Sequence, residues 1–346
     1  MGAELEFGEI ESVLKQIIGK NVGFEELVNE IISGGNLFSA ADWAKILGNV
    51  IVEQLQRHGQ IVGYLVILII SAAMLSVIAK AFRNRQISDM GFYLIFLLLF
   101  LILMRSFGVC YEVTTSVIKD LVDFMKVLMP TYLMAVAVSA YRTSAVIYYE
   151  GFLVLIYYLQ KIVLMLLLPG VRCYVLLSML GHLGTEEFFS KGREGLKKLI
   201  LWGLKAMIGV SAGMQVIQGM ISPAIDEMKQ TVFSRGISSL GNLGNVAQNV
   251  TDVILGSGAL LKNGIGVVAA VMIVSICLIP VVEVACYGVF YQVLAAVSEP
   301  ISDKRLTSLI AQMGDGIGLL VKTLFTVCAV FLLTIAIVCV TTGGMK

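Results

Sequence analysis

Residues 264–297 read GIGVVAAVMIVSICLIPVVEVACYGVFYQVLAAV, an apolar run that contains Pro280 and the acidic residue Glu283. About 20 apolar residues are enough for an α-helix to cross the hydrocarbon core of a bilayer. A run of this length is typical of a membrane protein, and the proline within it predicts a kink or a break of the helix. This stretch therefore predicts helices that lie in lipid.

The composition of the whole chain agrees with a membrane location. Of its 346 residues, 58% are hydrophobic and 14% are charged, and the mean hydropathy is +0.90. Soluble domains usually contain about 45–50% apolar and about 25% charged residues. The formal net charge of +1 provides no field that would attract nucleic acid. We therefore expect an all-α, polytopic integral membrane helical bundle and no soluble enzyme.

Further apolar runs predict additional spans. They lie at about 61–81, 91–110, 131–149, 151–180, 199–222 and 317–341. Pro169 interrupts the run at 151–180, as Pro280 interrupts 264–297, so each of these two runs could form one span or a hairpin. Together these alternatives predict about six to eight spans.

Residues 1–58 are different, because they contain nine acidic and four basic residues. Apolar side chains recur there at helical spacing, but no stretch is long and apolar enough to cross a bilayer. The sequence therefore predicts extramembrane or interfacial amphipathic helices over 1–58. A transmembrane helical domain is expected over 59–346.

Three amphipathic helices are expected within that domain, at 111–129, 185–198 and 224–263. The first has an apolar face and a polar face, which is formed by Glu112, Ser116, Lys119, Asp123 and Lys126. Such a helix is typical of an interface or of a packed bundle rather than of a lipid-facing span. Pro130 and Pro223 are expected to end the helices that precede them.

The distribution of basic residues predicts the orientation, but with a conflict. The short loop that holds Lys80, Arg83 and Arg85 should be cytoplasmic, which places the acidic N-terminal segment on the opposite side. If each later run crosses once, the basic segment 185–198 falls on the non-cytoplasmic side, against the same rule. A re-entrant stretch or two short crossings between 131 and 180 would remove the conflict.

Several ionisable side chains fall inside apolar runs, among them Arg105, Arg142, Lys161 and Glu283. A charge at mid-bilayer costs at least about 2.5–3.5 kcal/mol, so such side chains usually face protein or water. Glu283, three residues after Pro280, is the most central of them. It is interpreted either as an ion or proton site or as a structural ion pair at a helix break.

Two further patterns suggest helix contacts or a pore. Asn245, Asn249 and Asp252 share one helical face, and Lys262 and Asn263 follow. This weakly apolar segment is either a re-entrant, pore-lining helix or an interfacial helix. Gly209 and Gly213 form a GxxxG motif, which permits close approach of another membrane helix.

The motifs of familiar enzymes and energy-coupling sites are absent from the sequence. It contains no Walker A motif, no GxSxG and no HExxH, and none of its six cysteines has CxxC spacing. The sequence thus predicts no catalytic residues, no metal site and no cofactor. It also provides no recognisable energy source.

One stretch carries a family resemblance. Residues 249–263 read NVTDVILGSGALLKN, and Gly264-Ile265-Gly266 and the apolar run to Pro280 follow. This sequence, together with a weaker match at 120–130 and in the last span, resembles the stage III sporulation protein AE family of endospore-forming bacteria. No catalytic motif defines this family, so no active site is carried over.

The resemblance implies a role in spore formation. A member of this family would lie in the mother-cell membrane around the forespore, as a multi-pass protein and part of an oligomer. Its partners would be the other membrane proteins of the stage III sporulation A operon and, through them, a secretion-type ATPase and a forespore membrane partner. Together they would form a transenvelope, secretion-like channel that is needed for late forespore development.

An alternative function follows from the residues alone. A stand-alone secondary transporter or ion channel could use Glu283 and a broken helix at Pro280, because discontinuous helices often hold the ion sites of transporters.

Overall fold

The described part of the chain is helical. The computed structural model describes residues 8–18, 23–32, 85–140, 144–181, 190–238, 242–300 and 304–343, with isolated positions between 48 and 67. The helices are α1 (Gly8–Ile18), α2 (Phe24–Ile32), α3 (Arg85–Ala140), α4 (Ser144–Ile162), α5 (Leu168–Leu180), α6 (Ser190–Ser238), α7 (Asn242–Ser298) and α8 (Lys304–Gly343). A short π-helix, Val163–Leu167, joins α4 to α5 without a loop.

Four helical segments are long and apolar enough to cross a membrane. They are Tyr93–Ala135, Val154–Leu180, Asn263–Ser298 and Lys304–Ala336. The expected all-α, polytopic membrane architecture is therefore confirmed. The span predicted at 61–81 lies outside the described helices. In the span predicted at 199–222 the backbone is described, but several side chains are not.

Prolines do not end these helices. α3 continues through Pro130, α7 continues through Pro280, and the backbone of α6 remains helical past Pro223. The helix ends expected at Pro130 and Pro223 are therefore wrong, and so is the break expected at Pro280. A proline in a helix interior costs about 3 kcal/mol because it removes one hydrogen bond, but burial of its neighbours, here Met129 and Tyr132, offsets that cost.

The two long runs are not hairpins either. Pro169 lies in the first turn of α5, directly after the π-helix, and a proline is tolerated at that position. The extra residue of the π-helical turn is accommodated within one continuous helical segment. The run at 131–149 is divided between the end of α3 and the start of α4, so it forms no span of its own.

Close contacts fix the register of α3, α7 and α8. The Tyr291 hydroxyl of α7 donates a hydrogen bond of 2.6 Å to Ser106 Oγ of α3. The Tyr132 hydroxyl of α3 lies 2.8 Å from Cys339 Sγ of α8, and a Cβ on Gly266 would lie 3.3 Å from that hydroxyl. α3 therefore runs antiparallel to α7 and parallel to α8.

At the level of Ser106, α8 also contacts α5 and α6. A Cβ on Gly316 of α8 would meet Val175 of α5 and would lie 3.9 Å from Phe107 of α3. Lys197 of α6 bonds to Asp315 of α8. The N-terminal ends of α3, α6 and α8 consequently lie at one end of the bundle, which we call the basic end.

The geometry of the basic end removes the orientation conflict. The exposed or half-exposed basic residues at this end are Lys191, Arg193, Lys197, Lys198, Lys304 and Arg305. Because 91–110 and 131–140 belong to one helix, only two passes separate Arg85 from Ser190. Arg85 and the segment that begins α6 therefore lie on the same side, as the positive-inside rule requires.

The two N-terminal helices pack at the opposite end. Their apolar faces are buried, since Ile10 and Leu14 of α1 and Phe24 and Val28 of α2 are at most 1% exposed. A Cβ on Gly264 of α7 would lie 3.4 Å from Val28. The apolar faces of α1 and α2 are therefore buried by packing on the bundle, while the extramembrane or interfacial location predicted for 1–58 stays a prediction.

Candidate functional site

The pore-lining segment that the sequence suggested is part of α7. Asn245, Asn249, Asp252 and Lys262 lie on the helical backbone, but their side chains are outside the described set, while Asn263 is exposed. α7 is a continuous helix through 242–263. A role for these residues at a pore or an interface stays a prediction.

The predicted intramembrane charges lie on different helices. Arg105 is exposed on α3, Lys161 is exposed on α4, and Arg142 lies outside the described residues. Lys161 Nζ lies 5.5 Å from the centre of the Tyr157 ring and donates a hydrogen bond of 3.3 Å to its hydroxyl. Lys161 therefore interacts with Tyr157, which lies one turn earlier in the same helix.

Glu283 is half-buried on α7, one turn after Pro280 in the unbroken helix. The structure thus removes the helix break on which the transporter interpretation depended.

The GxxxG motif on α6 is open. Gly209 and Gly213 are exposed, and a Cβ added at either would have nothing within 4 Å. An apolar groove of ≈ 330 Å³ runs beside them, between α6 and the α4–α5 segment, with Trp202, Val210 and Leu166 on its walls. Helix packing by the motif stays a prediction that concerns a helix or a lipid outside this fold.

Other glycines provide the close approaches within the described bundle. A Cβ on Gly203 would lie 2.9 Å from Leu167, one on Gly266 would lie 2.5 Å from Cys339 Sγ, and one on Gly316 would meet Val175. These positions could not be predicted from the sequence, because glycine spacing alone does not show which face of a helix meets a neighbour.

The polar face predicted on α3 is present. Its exposed side chains, Glu112, Ser116, Lys119, Asp123 and Lys126, form what we call the polar row. Lys126 Nζ lies 3.1 Å from Asp123 Oδ1, and Ser116 Oγ donates a hydrogen bond of 3.5 Å to Asp120. Most of the apolar side chains of this helix section are buried in the bundle, including Leu121 and Phe124.

An interhelical ion pair marks the basic end. Lys197 Nζ of α6 lies 3.2 Å from Asp315 Oδ2 of α8 and 5.9 Å from the centre of the Tyr174 ring of α5. Burial lowers the pKa of Lys197, but the hydrogen bond to Asp315 and the nearby Tyr174 raise it by more, so the net pKa lies above its ordinary value. Lys197 thereby joins three helices.

Within the described residues, no group of three or more His, Cys, Asp or Glu side chains could hold a metal ion. The thiols of Cys277 on α7 and Cys328 on α8 lie near each other. All six cysteines are free, and this pair is part of the packing between the two helices.

Comparisons with known proteins agree with this architecture. The family described as Stage III sporulation protein AE matches residues 22–342. The stage III sporulation protein AE of Bacillus subtilis (strain 168) is 21% identical over 318 residues, which cover 91% of this chain and 79% of that protein. No solved structure matches the chain. Since the matching region includes nearly the whole helical bundle, the chain belongs to the stage III sporulation protein AE family.

Proposed function

We propose that this chain is a membrane subunit of a transenvelope, secretion-like channel that links mother cell and forespore, with no catalytic role of its own. It would lie in the mother-cell membrane around the forespore. Its partners would be the other stage III sporulation A-operon membrane proteins and, through them, a secretion-type ATPase and a forespore membrane protein. It would support late forespore development.

The observation that carries this proposal is the family match over 22–342, which spans every long helix of the bundle. The bundle itself supports a structural or conduit role. Its described part holds long apolar helices, an exposed polar row and no cluster that would bind a metal. An energy source on a partner would complement such a chain.

The two ends of the bundle suit different partners. The basic end would face the mother-cell cytoplasm, by the positive-inside rule. α1 and α2 at the opposite end include Glu9, Glu11, Glu25, Glu26 and Glu30, with only Lys15 to oppose them. These acidic helices would face the space between the two membranes, where forespore proteins are reached.

The test is a deletion in the bacterium that encodes this chain, complemented with the wild-type gene at a second site. We expect normal vegetative growth, engulfment of the forespore and a block of late forespore gene expression. The complemented strain is the control and should form heat-resistant spores. A growth defect accompanied by normal spores would contradict the proposal.

The stand-alone transporter is not supported to the same degree. It required a discontinuous helix at Pro280, and α7 is continuous from Asn242 to Ser298. Glu283 lies one turn after Pro280 within that continuous helix, so its position no longer indicates an ion site at a broken helix.

A further inference from the structure

The polar row lies at the depth of the most apolar parts of its neighbours. Between Phe107 and Tyr132, α3 runs beside α8 from Gly316 to Cys339, and it runs beside α7 from Tyr291 back to Gly266. At about 1.5 Å per residue, Phe107 and Tyr132 are about 37 Å apart, against about 30 Å for the hydrocarbon core. The interval between these contacts is therefore long enough to hold the hydrocarbon core.

The neighbours contain few charges within that interval. α7 has no charged residue from 266 to 282, and α8 has none from 323 to 343. Interpolation between the bracketing contacts places Lys119, Asp123 and Lys126 beside these uncharged stretches. Three consecutive charges of the polar row therefore lie level with the most apolar parts of α7 and α8, which are the parts expected in hydrocarbon.

The other two segments agree with this assignment. In α6, Gly203 lies against Leu167, and the residues from 206 to 225 carry no charge. On the α4–α5 segment the same depth contains one charge, Lys161, whose ammonium group is held by Tyr157. The apolar side chains that are exposed at this depth, such as Phe325 and Val210, are 68% and 67% exposed.

A charged row of this kind cannot face lipid tails, because ionised side chains in hydrocarbon require water or protein partners. Asp123 and Lys126 form a pair within their own helix, yet their side chains remain 62% and 43% exposed. The polar row therefore faces something polar inside the thickness of the membrane.

The composition of the row distinguishes water from a dry protein interface. Interface cores are enriched in aromatic residues, methionine and arginine and depleted in lysine, glutamate, aspartate and serine. Glu112, Ser116, Lys119, Asp123 and Lys126 are drawn entirely from the depleted set. Because the charges alternate in sign, the row has little net charge and would not retain ions of one sign.

We propose that the polar row of α3 faces water within the membrane, as the wall of an aqueous passage. The inference deepens the proposed channel function and rests on it for the idea of a passage. Lys119, Asp123 and Lys126 then line the passage over its central part. Phe325 and Val210 face lipid at the same depth.

The experiment compares thiol accessibility in intact membranes. Ser116→Cys and Asp123→Cys are made singly in a Cys173→Ala background, because Cys173 is an exposed native thiol. Phe325→Cys and Val210→Cys are the matched controls. Membranes are treated with a membrane-impermeant, positively charged methanethiosulfonate reagent, and mass spectrometry of the peptides identifies which cysteine is labelled, so that the remaining native thiols, which are buried or half-buried, do not interfere.

We expect Ser116→Cys and Asp123→Cys to react about tenfold or more faster than the two controls, because the thiolate, the reactive form, is suppressed in hydrocarbon. Equal protection at all four positions would overturn the inference, since protein would then cover the row. Equal reactivity at all four would also overturn it, because the depth assignment would be wrong.

The sporulation assay separates this inference from the proposed function. If labelling of the row fails while deletion still blocks late forespore development, only the aqueous passage along α3 is lost. If labelling succeeds while deletion leaves sporulation normal, the passage remains and the sporulation role is lost.

Discussion

The Tyr132 hydroxyl of α3 lies 2.8 Å from Cys339 Sγ of α8, and the backbone of α7 passes both at Gly266. A Cβ on Gly266 would lie 2.5 Å from the sulfur and 3.3 Å from the hydroxyl. Three helices therefore meet where only glycine fits. This contact defines the end of the bundle opposite to the basic end.

Gly266→Ala should destabilise the protein. The added methyl group would overlap Cys339 Sγ, and overpacking in a close-packed core typically costs about 1–3 kcal/mol. We expect a lower unfolding temperature in detergent, measured by the fluorescence of a thiol-independent reporter. Removing the sulfur by Cys339→Ala in the same chain should restore part of the loss.

The control for this prediction is Gly318→Ala on α8. A Cβ at Gly318 has nothing within 4 Å, and alanine is the better helix former. Its unfolding temperature should stay the same or rise. If Gly266→Ala and Gly318→Ala behave alike, the close contact of α7 with α3 and α8 is refuted.

Tyr291→Phe should weaken the contact between α7 and α3. The Tyr291 hydroxyl and Ser106 Oγ are 2.6 Å apart and both residues are buried, so the change leaves Ser106 without its donor. Loss of one partner of a buried hydrogen bond costs about 1–3 kcal/mol. The unfolding temperature should fall, whereas Tyr158→Phe, at an exposed tyrosine, should leave it unchanged.

A double-mutant cycle checks that the two groups act on each other. Ser106→Ala combined with Tyr291→Phe should cost less than the sum of the single changes, because both ends of the bond are removed together. Strict additivity would mean that the hydroxyls do not interact.

Local patterns predicted the parts of the fold that depend on helical periodicity. The apolar faces of α1 and α2 and the polar row of α3 repeat every three to four residues, so neighbouring positions alone identify them. Apolar runs likewise identified lipid-embedded helices, since length and hydropathy are local properties. These features needed no knowledge of which helices are neighbours.

Helix ends and close contacts could not be predicted in the same way. Pro130 and Pro280 carry a local cost, and whether a helix continues depends on burial by distant residues. Gly266 packs tightly while Gly209 is open, although both lie in apolar helices. Lys197 and Asp315 are 118 positions apart in sequence, so no local spacing could pair them.

The two ends of the bundle should lie on opposite sides of the membrane. Gly192→Cys at the basic end and Asn29→Cys on α2 are both exposed positions for a thiol probe. When the Cys173→Ala background is expressed in the cytoplasmic membrane of non-sporulating cells, an impermeant maleimide added outside should label Asn29→Cys and should reach Gly192→Cys only after the membrane is permeabilised. Labelling of both positions without permeabilisation would contradict the orientation derived from the basic end.

Exchanging the charges of Lys197 and Asp315 tests the contact between α6 and α8. Lys197→Asp places two carboxylates together, and Asp315→Lys places two ammonium groups together, so each single variant should be less stable. The side chains are 37% and 47% exposed, so solvent screens the pair and a loss of about 1 kcal/mol or less is expected for each. The double exchange should recover most of the unfolding temperature. Reversing both charges of Lys198 and Glu194, a 2.8 Å pair within α6, is the matched control and should have almost no effect in any combination. If the double exchange is as unstable as the sum of its single changes, Lys197 and Asp315 are not neighbours. The contact that places the N-terminal ends of α6 and α8 at the same end of the bundle would then be refuted.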